Sequence, residues 1–413
     1  MQELRDSQVW GASQIVERVN KFGLAYLAAE VRTGKTITSM QAMQDLGKKH
    51  VLFVTKKKAI SSIQKDYMDM EFDFKITIIN YESLHTIHSA TIDAVICDES
   101  HCMGAFPKPS NRAVNLKKLI GDKATIFLSG TPNPETYSQL FHQFNIHEKS
   151  PWVKYKNFYQ WVGAGYVFKY QKLINGLNLN FYDRGNASKI MADVEPYMVK
   201  LSQEEAGFDC PVTEIFHRID MEKSTYKLIE DLKTDKVVTF SNGNDVVIDT
   251  PAKAMMKFRQ LYSGTIKYED GSTDVLDTTK IEYIKKTFTG KKIAIYYCFI
   301  EEGKLIRESF KNFTDDPMEF NKRNDLVFVC QMVSGREGIN LSSADALVMY
   351  NIDFSATTYF QVRARLQDKN RLTPAIVNWV FANDGIEDKI YKAVSKKKNY
   401  TTSYFIKEFG IKF

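Results

Sequence analysis

The run AAEVRTGKT, ending at Thr36, has residue types and a spacing suited to a triphosphate. Ala29, Gly34, Lys35 and Thr36 fit the pattern A/G-x-x-x-x-G-K-S/T. A triphosphate needs backbone N–H donors on a concave turn, and Gly34 has no side chain in the way. A helix starting there adds partial positive charge beneath the phosphates. Lys35 supplies a mobile cation for the outer phosphates, and the Thr36 hydroxyl is a suitable Mg2+ ligand. A chance match in a loop would share the letters but lack the setting. Here the apolar run Leu24–Ala28 reads as a buried strand, and ITSMQAMQDL, ending at Gly47, has helical spacing.

A second cluster, DESH (98–101), follows the apolar run DAVIC. In open parallel sheets, ligands bind beyond the C-terminal ends of strands. Asp98 is placed to hold Mg2+, directly or through water, and Glu99 to orient and deprotonate an attacking water. Phosphoryl transfer needs positioning and electrostatics more than covalent help. An isolated Asp-Glu pair reads as solvated surface charge; a preceding buried strand and an upstream phosphate loop give this one a purpose. Lys56, Lys57 and Lys58 follow the strand candidate VLFVT and suit phosphate contacts that position a nucleic acid without reading bases. The plain alternative is a solvated lysine run. His85 with His88, and Cys97 with His101 and Cys102, have no second ligand pair at zinc spacing, so no metal besides Mg2+ is expected. Ser129 precedes Gly130 without a G-x-S-x-G elbow, which argues against a hydrolase nucleophile.

These residues need elements to hold them. A chain of 413 residues is long enough for two domains with separate cores. Apolar content of 44% and charged content of 26% are those of a soluble globular protein. A net charge of +6 permits a phosphate-rich partner without demanding one. Five cysteines, with no C-x-x-C pair, make a disulfide framework unexpected and a reducing interior the default. No apolar run reaches membrane-spanning length, and MQELRDSQVW lacks a signal-peptide core, so a soluble intracellular protein is expected.

Along the chain, a helix-like pattern fills residues 1–22. Strand candidates 51–55, 76–80, 93–98 and 123–129 alternate with helical or loop material, which predicts a parallel sheet covered on both faces. From about Ser150 the composition turns aromatic and lysine-rich. Residues 152–172 interleave rings with cations as single-strand binders do, although rings at that density also suit a core. A second α/β pattern follows Cys210-Pro211, with strand candidates at 214–220, 292–298, 326–330, 346–351 and 375–381. FSNGNDVVI predicts a hairpin around Asn242–Asn244. The domains expected are 1–149, an insertion or accessory subdomain at 150–212, and 213–413 with a hairpin-like insertion near 234–275.

Taken in order, the phosphate loop, DESH and LSGTP (128–132) resemble motifs I, II and III of the superfamily-two helicases and translocases, and more closely the Swi/Snf-like group. LRDSQ (4–8) resembles its adenine-reading Q motif, VTKKKAISSIQKD (54–66) motif Ia and INYESL (79–84) the Ib region. KKIAIYYCF (291–299), SGREGINLSSAD (334–345) and YFQVRARLQ (359–367) resemble motifs IV, V and VI. The resemblance implies two tandem RecA-like domains, with ATP and Mg2+ in a cleft between them and a nucleic-acid track across both. It assigns nucleotide contacts to Arg5, Gln8, Glu30, Thr33, Gly34, Lys35, Thr36, Gly338 and Gln361, with Mg2+ on Thr36 and Asp98. Catalysis falls to Lys35, Asp98, Glu99, Arg365 and Arg371. The track falls to Thr55, Lys56, Lys57, Tyr81, Ser129, Thr131, Ser334 and Asn340. One departure matters: the family's arginine-finger position holds Asp368, so Arg371, or else Arg363, would have to serve.

The function implied is an ATP-dependent DNA helicase or translocase, with RNA as a possible track, working as a monomer in cytoplasm or nucleoid, or in a host cytoplasm if phage-encoded. The alternative from another class is a nucleotide-gated clamp on nucleic acid or protein with little processive motion.

Overall fold

The computed structural model describes residues 3–87, 91–174, 177–207, 212–335, 341–366, 374–396 and 400–409. The chain divides into two compact units, Met1–Phe208 and Asp209–Phe413.

The first unit opens with helix α1 (Asp6–Phe22), strand β1 (Leu24–Ala29) and helix α2 (Lys35–Asp45). Strands β2 (His50–Thr55), β3 (Lys75–Asn80), β4 (Ala94–Cys97) and β5 (Ala124–Ser129) follow. An antiparallel hairpin, β6 (Tyr170–Ile174) and β7 (Leu177–Phe181), precedes β8 (Met198–Leu201). The sheet order is β3-β2-β4-β5-β1-β8, and every pairing is parallel. Strands β1, β4 and β5 are buried almost throughout, as continuous apolar runs require in a sheet covered on both faces. Register sets Ala28 opposite Ser129 and Val54 opposite Cys97, so the strands finish at one edge, where the motif loops begin.

The period-two alternation of β1 divides the core. Ala25, Leu27 and Ala29 meet Ala12, Ile15 and Met40 from α1 and α2 on one face. Leu24 and Tyr26 meet Phe144, Trp152 and Trp161 on the other. Residues 150–167, expected in an insertion, therefore supply a layer of the first unit's core, with Trp152, Phe158 and Trp161 at 0–1% exposure. A parallel sheet has to be covered on its second face, and these rings do it. Strand β8, short and without an alternating signal, pairs with β1 at the sheet edge.

The second unit contains β9 (Val212–Ile219), the small hairpins β10 (Val237–Thr239) with β11 (Asp245–Val247) and β12 (Thr265–Lys267) with β13 (Thr273–Val275), and then β14 (Ile293–Tyr297), β15 (Phe313–Thr314), β16 (Val327–Gln331), β17 (Ala346–Met349) and β18 (Ala375–Ala382). Its six-stranded sheet runs β15-β16-β14-β17-β18-β9, again all parallel. The turn at Phe240–Asn244 has Gly243 at φ +81°, which a side chain disfavours. No helix of the described residues is long and apolar enough to cross a membrane.

Candidate functional site

The phosphate loop lies between β1 and α2, with Gly34 capping α2 at φ +89°. The left-handed backbone at Gly34 disfavours a side chain, and a Cβ there would push aside Arg5 Nη2 and Gln8 Nε2. Those two side chains come from the start of α1. The Arg5 backbone N–H donates to Gln8 Oε1 (3.0 Å), and Arg5 Nη2 donates to the Thr33 carbonyl (3.3 Å). Gln8 is 3% exposed, and its Nε2 has no hydrogen-bond partner among the described residues. A buried donor left unmade costs about 1–3 kcal/mol. A ring nitrogen of a purine would satisfy it, so the residues present fit a purine nucleotide.

Lys35 Nζ donates to the carbonyls of Ala29 (2.9 Å) and Glu30 (2.8 Å), folded back over the loop. Thr33 is buried, its hydroxyl donating to the Glu30 carbonyl (2.9 Å). Thr36 is half-buried at the first turn of α2. The Glu30 carboxylate accepts the Gln203 backbone N–H (2.9 Å), and Gln203 Nε2 donates to the Val31 carbonyl (2.9 Å). Glu30 thus ties the loop to the segment following β8.

Asp98 stands at the end of β4. Thr55 Oγ1 donates to its Oδ2 (2.8 Å), and the Tyr81 hydroxyl donates to its carbonyl (2.6 Å). Burial first, then the neighbouring Glu99 charge, pushes the Asp98 carboxyl up to about 7, against the opposing pull of Thr55 and Lys35. A carboxylate that is costly to ionise alone suits a cation. Among the described residues, no group of three or more His, Cys, Asp or Glu could hold a metal by itself. Mg2+ on Thr36 and Asp98 would take its remaining oxygens from phosphates and water, as this ion commonly does.

Glu99 adopts φ +49°, an unfavourable conformation for a residue with a Cβ, which turns the chain sharply after β4. Its Oε2 lies 3.2 Å from His101 Nδ1. The same nitrogen is 3.0 Å from Ser129 Oγ, and Ser129 Oγ accepts the Thr131 N–H (3.1 Å). A polar chain therefore runs from the acidic cluster to the loop after β5. Beneath it, Ser100 Oγ lies 2.8 Å from the Tyr26 hydroxyl, which donates to Gln143 Oε1 (2.7 Å). Burial holds the Tyr26 phenol protonated well above its usual range.

Three residues expected on the nucleic-acid track have buried side chains. Thr55 and Ser129 are 0% exposed and Tyr81 is 1% exposed. Their hydroxyls meet Asp98 and His101, on the side of the acidic cluster. Lys57 is exposed, while Lys56 and Thr131 are half-buried. His101, Tyr26 and Gln143 were not assigned a role from the sequence. His101 had a signal in its place two residues after Glu99. Tyr26 and Gln143 had none, since 117 positions separate them.

In the second unit, Gln361 is buried on the helix Ala356–Arg363, and Arg365 is half-buried in the turn after it. The Arg365 carbonyl accepts the Leu341 N–H (3.3 Å). Ser334 is half-buried in the helical turn Met332–Gly335 after β16. Arg363, the alternative finger, has its Nε 3.3 Å from Glu214 Oε2 on β9. Tyr359 and Trp379 Nε1 also donate to that carboxylate, at 3.0 and 2.9 Å. Arg363 therefore belongs to an anchor inside its own unit. Gly338, Asn340, Asp368 and Arg371 lie outside the described residues.

Compared with family models, residues 35–267 match the SNF2-related domain. A comparison with curated proteins finds no match. Among solved structures, the chain is similar to the SWI2/SNF2 ATPase core domain of Sulfolobus solfataricus, at 15% identity and a TM-score of 0.43, over 96% of this chain and 89% of that one.

Proposed function

The chain belongs to the SNF2-related domain family and is a nucleic-acid-dependent ATPase, and from that premise we propose that it couples Mg-ATP hydrolysis to movement along, or remodelling of, DNA. One observation carries the reading. The unmet Gln8 Nε2, the Gly34 cradle and Lys35 stand at the end of a parallel sheet where β4 also finishes, just before Asp98 and Glu99.

In this reading Gln8 meets the adenine edge. The N-terminus of α2 and the Gly34 backbone cradle the phosphates. Lys35 leaves the Ala29 and Glu30 carbonyls for the outer phosphate oxygens. Thr36 and Asp98 would hold Mg2+, which would neutralise charge on the phosphates. Thr55 fixes the Asp98 carboxylate. Glu99 accepts the proton of the attacking water, and its contact with His101 carries that change through Ser129 to Thr131. Thr131 thereby links hydrolysis to the nucleic-acid face, where Lys56 and Lys57 meet phosphates. Gln361, Gly338, Arg365 and Arg371 enter on the resemblance alone, as the second unit's part in hydrolysis, with Ser334 and Asn340 on the track.

The test is ATP turnover against single-stranded, duplex, forked and branched DNA and RNA. The expected result is slow turnover alone and faster turnover with DNA. A rate indifferent to every polynucleotide rejects the track. Undetectable hydrolysis with ATP-dependent binding of a nucleic acid replaces the motor with a clamp.

A further inference from the structure

The hairpin of β6 and β7 is firmly rooted, and residues 171–173 and 177–180 beyond the root are exposed. At its root, Phe168 N–H donates to the Arg184 carbonyl (2.8 Å), and Ser138 Oγ to the Tyr182 carbonyl (2.6 Å). Beyond the root, Leu173, Leu177 and Leu179 keep 70%, 66% and 44% of their surface exposed. Apolar side chains left on a projecting two-stranded ribbon are a liability that a soluble protein normally removes.

Register places opposed residues on a common face. Tyr170 faces Phe181, with ring centroids 5.3 Å apart and stacked, and Lys172 faces Leu179. Cations cover these rings: Arg184 sits 4.1 Å from the Tyr170 centroid and Lys172 5.2 Å from that of Phe181. Asp183 at the root accepts from the Tyr170 hydroxyl (3.1 Å). One face thus carries Tyr170, Lys172, Leu177, Leu179 and Phe181, while Leu173, opposite Asn178, lies on the other.

We propose that this hairpin face is where the protein meets unpaired bases of a nucleic acid, at the point where a duplex ends or opens. Leucines gain nothing from phosphates, but they can lie against a base plane, which is available only where bases are unpaired or at a duplex terminus. Lys172 and Arg184 supply the phosphate contacts that must accompany such stacking. A second copy of the same face is a poor occupant, since it would set Lys172 and Arg184 against their own charges. The inference rests on the nucleic-acid reading above and adds to it the element that distinguishes a fork from a continuous duplex.

The experiment compares the full-length protein with a Leu177→Ser/Leu179→Ser variant and with Lys172→Glu. Binding of fluorescent single-stranded, forked and blunt duplex probes, in DNA and RNA, is measured beside thermal midpoint and ATP turnover. The expected result is a preference of the native protein for probes with unpaired bases, and about tenfold weaker binding of those probes by each variant. Blunt-duplex affinity and thermal midpoint should hold in the leucine variant. Equal binding of every probe by native protein and variants overturns the proposal, as does an equal loss on blunt and forked probes. A leucine variant that changes only the sedimentation of the free protein also overturns it, in favour of self-association. Turnover indifferent to all polynucleotides would bring down the nucleic-acid reading itself, whereas stimulated turnover with unaltered fork binding removes the hairpin's role alone.

Discussion

In the first unit, charged side chains at the strand ends stand half-buried around the phosphate loop, whereas in the second unit Lys280 and Glu387 meet at 2.6 Å with neither exposed. The two sheets are alike in strand number and direction, so architecture does not explain the contrast. Two further carboxylates of the second unit are held by their neighbours. Glu302 accepts the N–H groups of Cys298 and Phe299 and the Asn351 amide. Glu214 gathers two tyrosines, Trp379 and Arg363. The first unit leaves a buried Gln8 donor without an acceptor among the described residues and pushes Asp98 toward its protonated form. An unmet polar atom alone does not mark a site, since Glu387 Oε2 also lacks a hydrogen bond among the described residues; what sets the first unit apart is that its unmet donor stands beside the phosphate loop, while Glu387 faces its own lysine.

The sharpest way to break this contrast is to remove its chemical half. Lys35→Ala or Glu99→Gln should lower ATP turnover by about two orders of magnitude or more, with little change in thermal midpoint. Steady-state hydrolysis with calorimetry checks both, and retained turnover in either variant would end the assignment.

The complementary change strikes the enclosed pair. Lys280→Met should cost the second unit about 3–5 kcal/mol, because it strands the Glu387 carboxylate. Burial raises the Glu387 pKa and Lys280 opposes the rise. Without the lysine, the raised pKa makes ionised Glu387 a penalty on the native state at neutral pH. That penalty fades as pH falls toward the unfolded carboxyl range, where both states are protonated. Denaturant midpoints between pH 4.5 and 8 should therefore show the variant's deficit growing with pH, and a deficit independent of pH would contradict the pairing.

Thr55→Val gives a smaller and more selective test. It removes the donor on Asp98 with little change of volume, and should slow hydrolysis by about tenfold while leaving affinity for DNA unchanged. A loss of DNA affinity with normal hydrolysis would return Thr55 to the track. Gln8→Ala should raise the KM for ATP by about fivefold and leave kcat nearly intact, since the amide serves binding in ground and transition state alike.

The local geometry of the candidate site was legible in the sequence because it rests on neighbouring residues. Gly34, Lys35 and Thr36 are contiguous, and a glycine in left-handed conformation at a helix start is a property of a short stretch. Residues 152–167 could not be resolved that way. Composition admitted both a core and a nucleic-acid surface, and only the uncovered second face of the sheet drew Trp152 and Trp161 inward while the rings of β6 and β7 stayed at the surface.

Residue type and period by themselves determined two α/β halves, the phosphate loop and the acidic pair, since apolar runs and helix caps act over a few positions. The tertiary structure alone decided that Thr55, Tyr81 and Ser129 face inward. It alone joined His101 to Ser129 across 28 positions and Tyr359 to Glu214 across 145. A side chain's partner and its access to water depend on which strands the register brings side by side, and that is fixed only when distant segments pack.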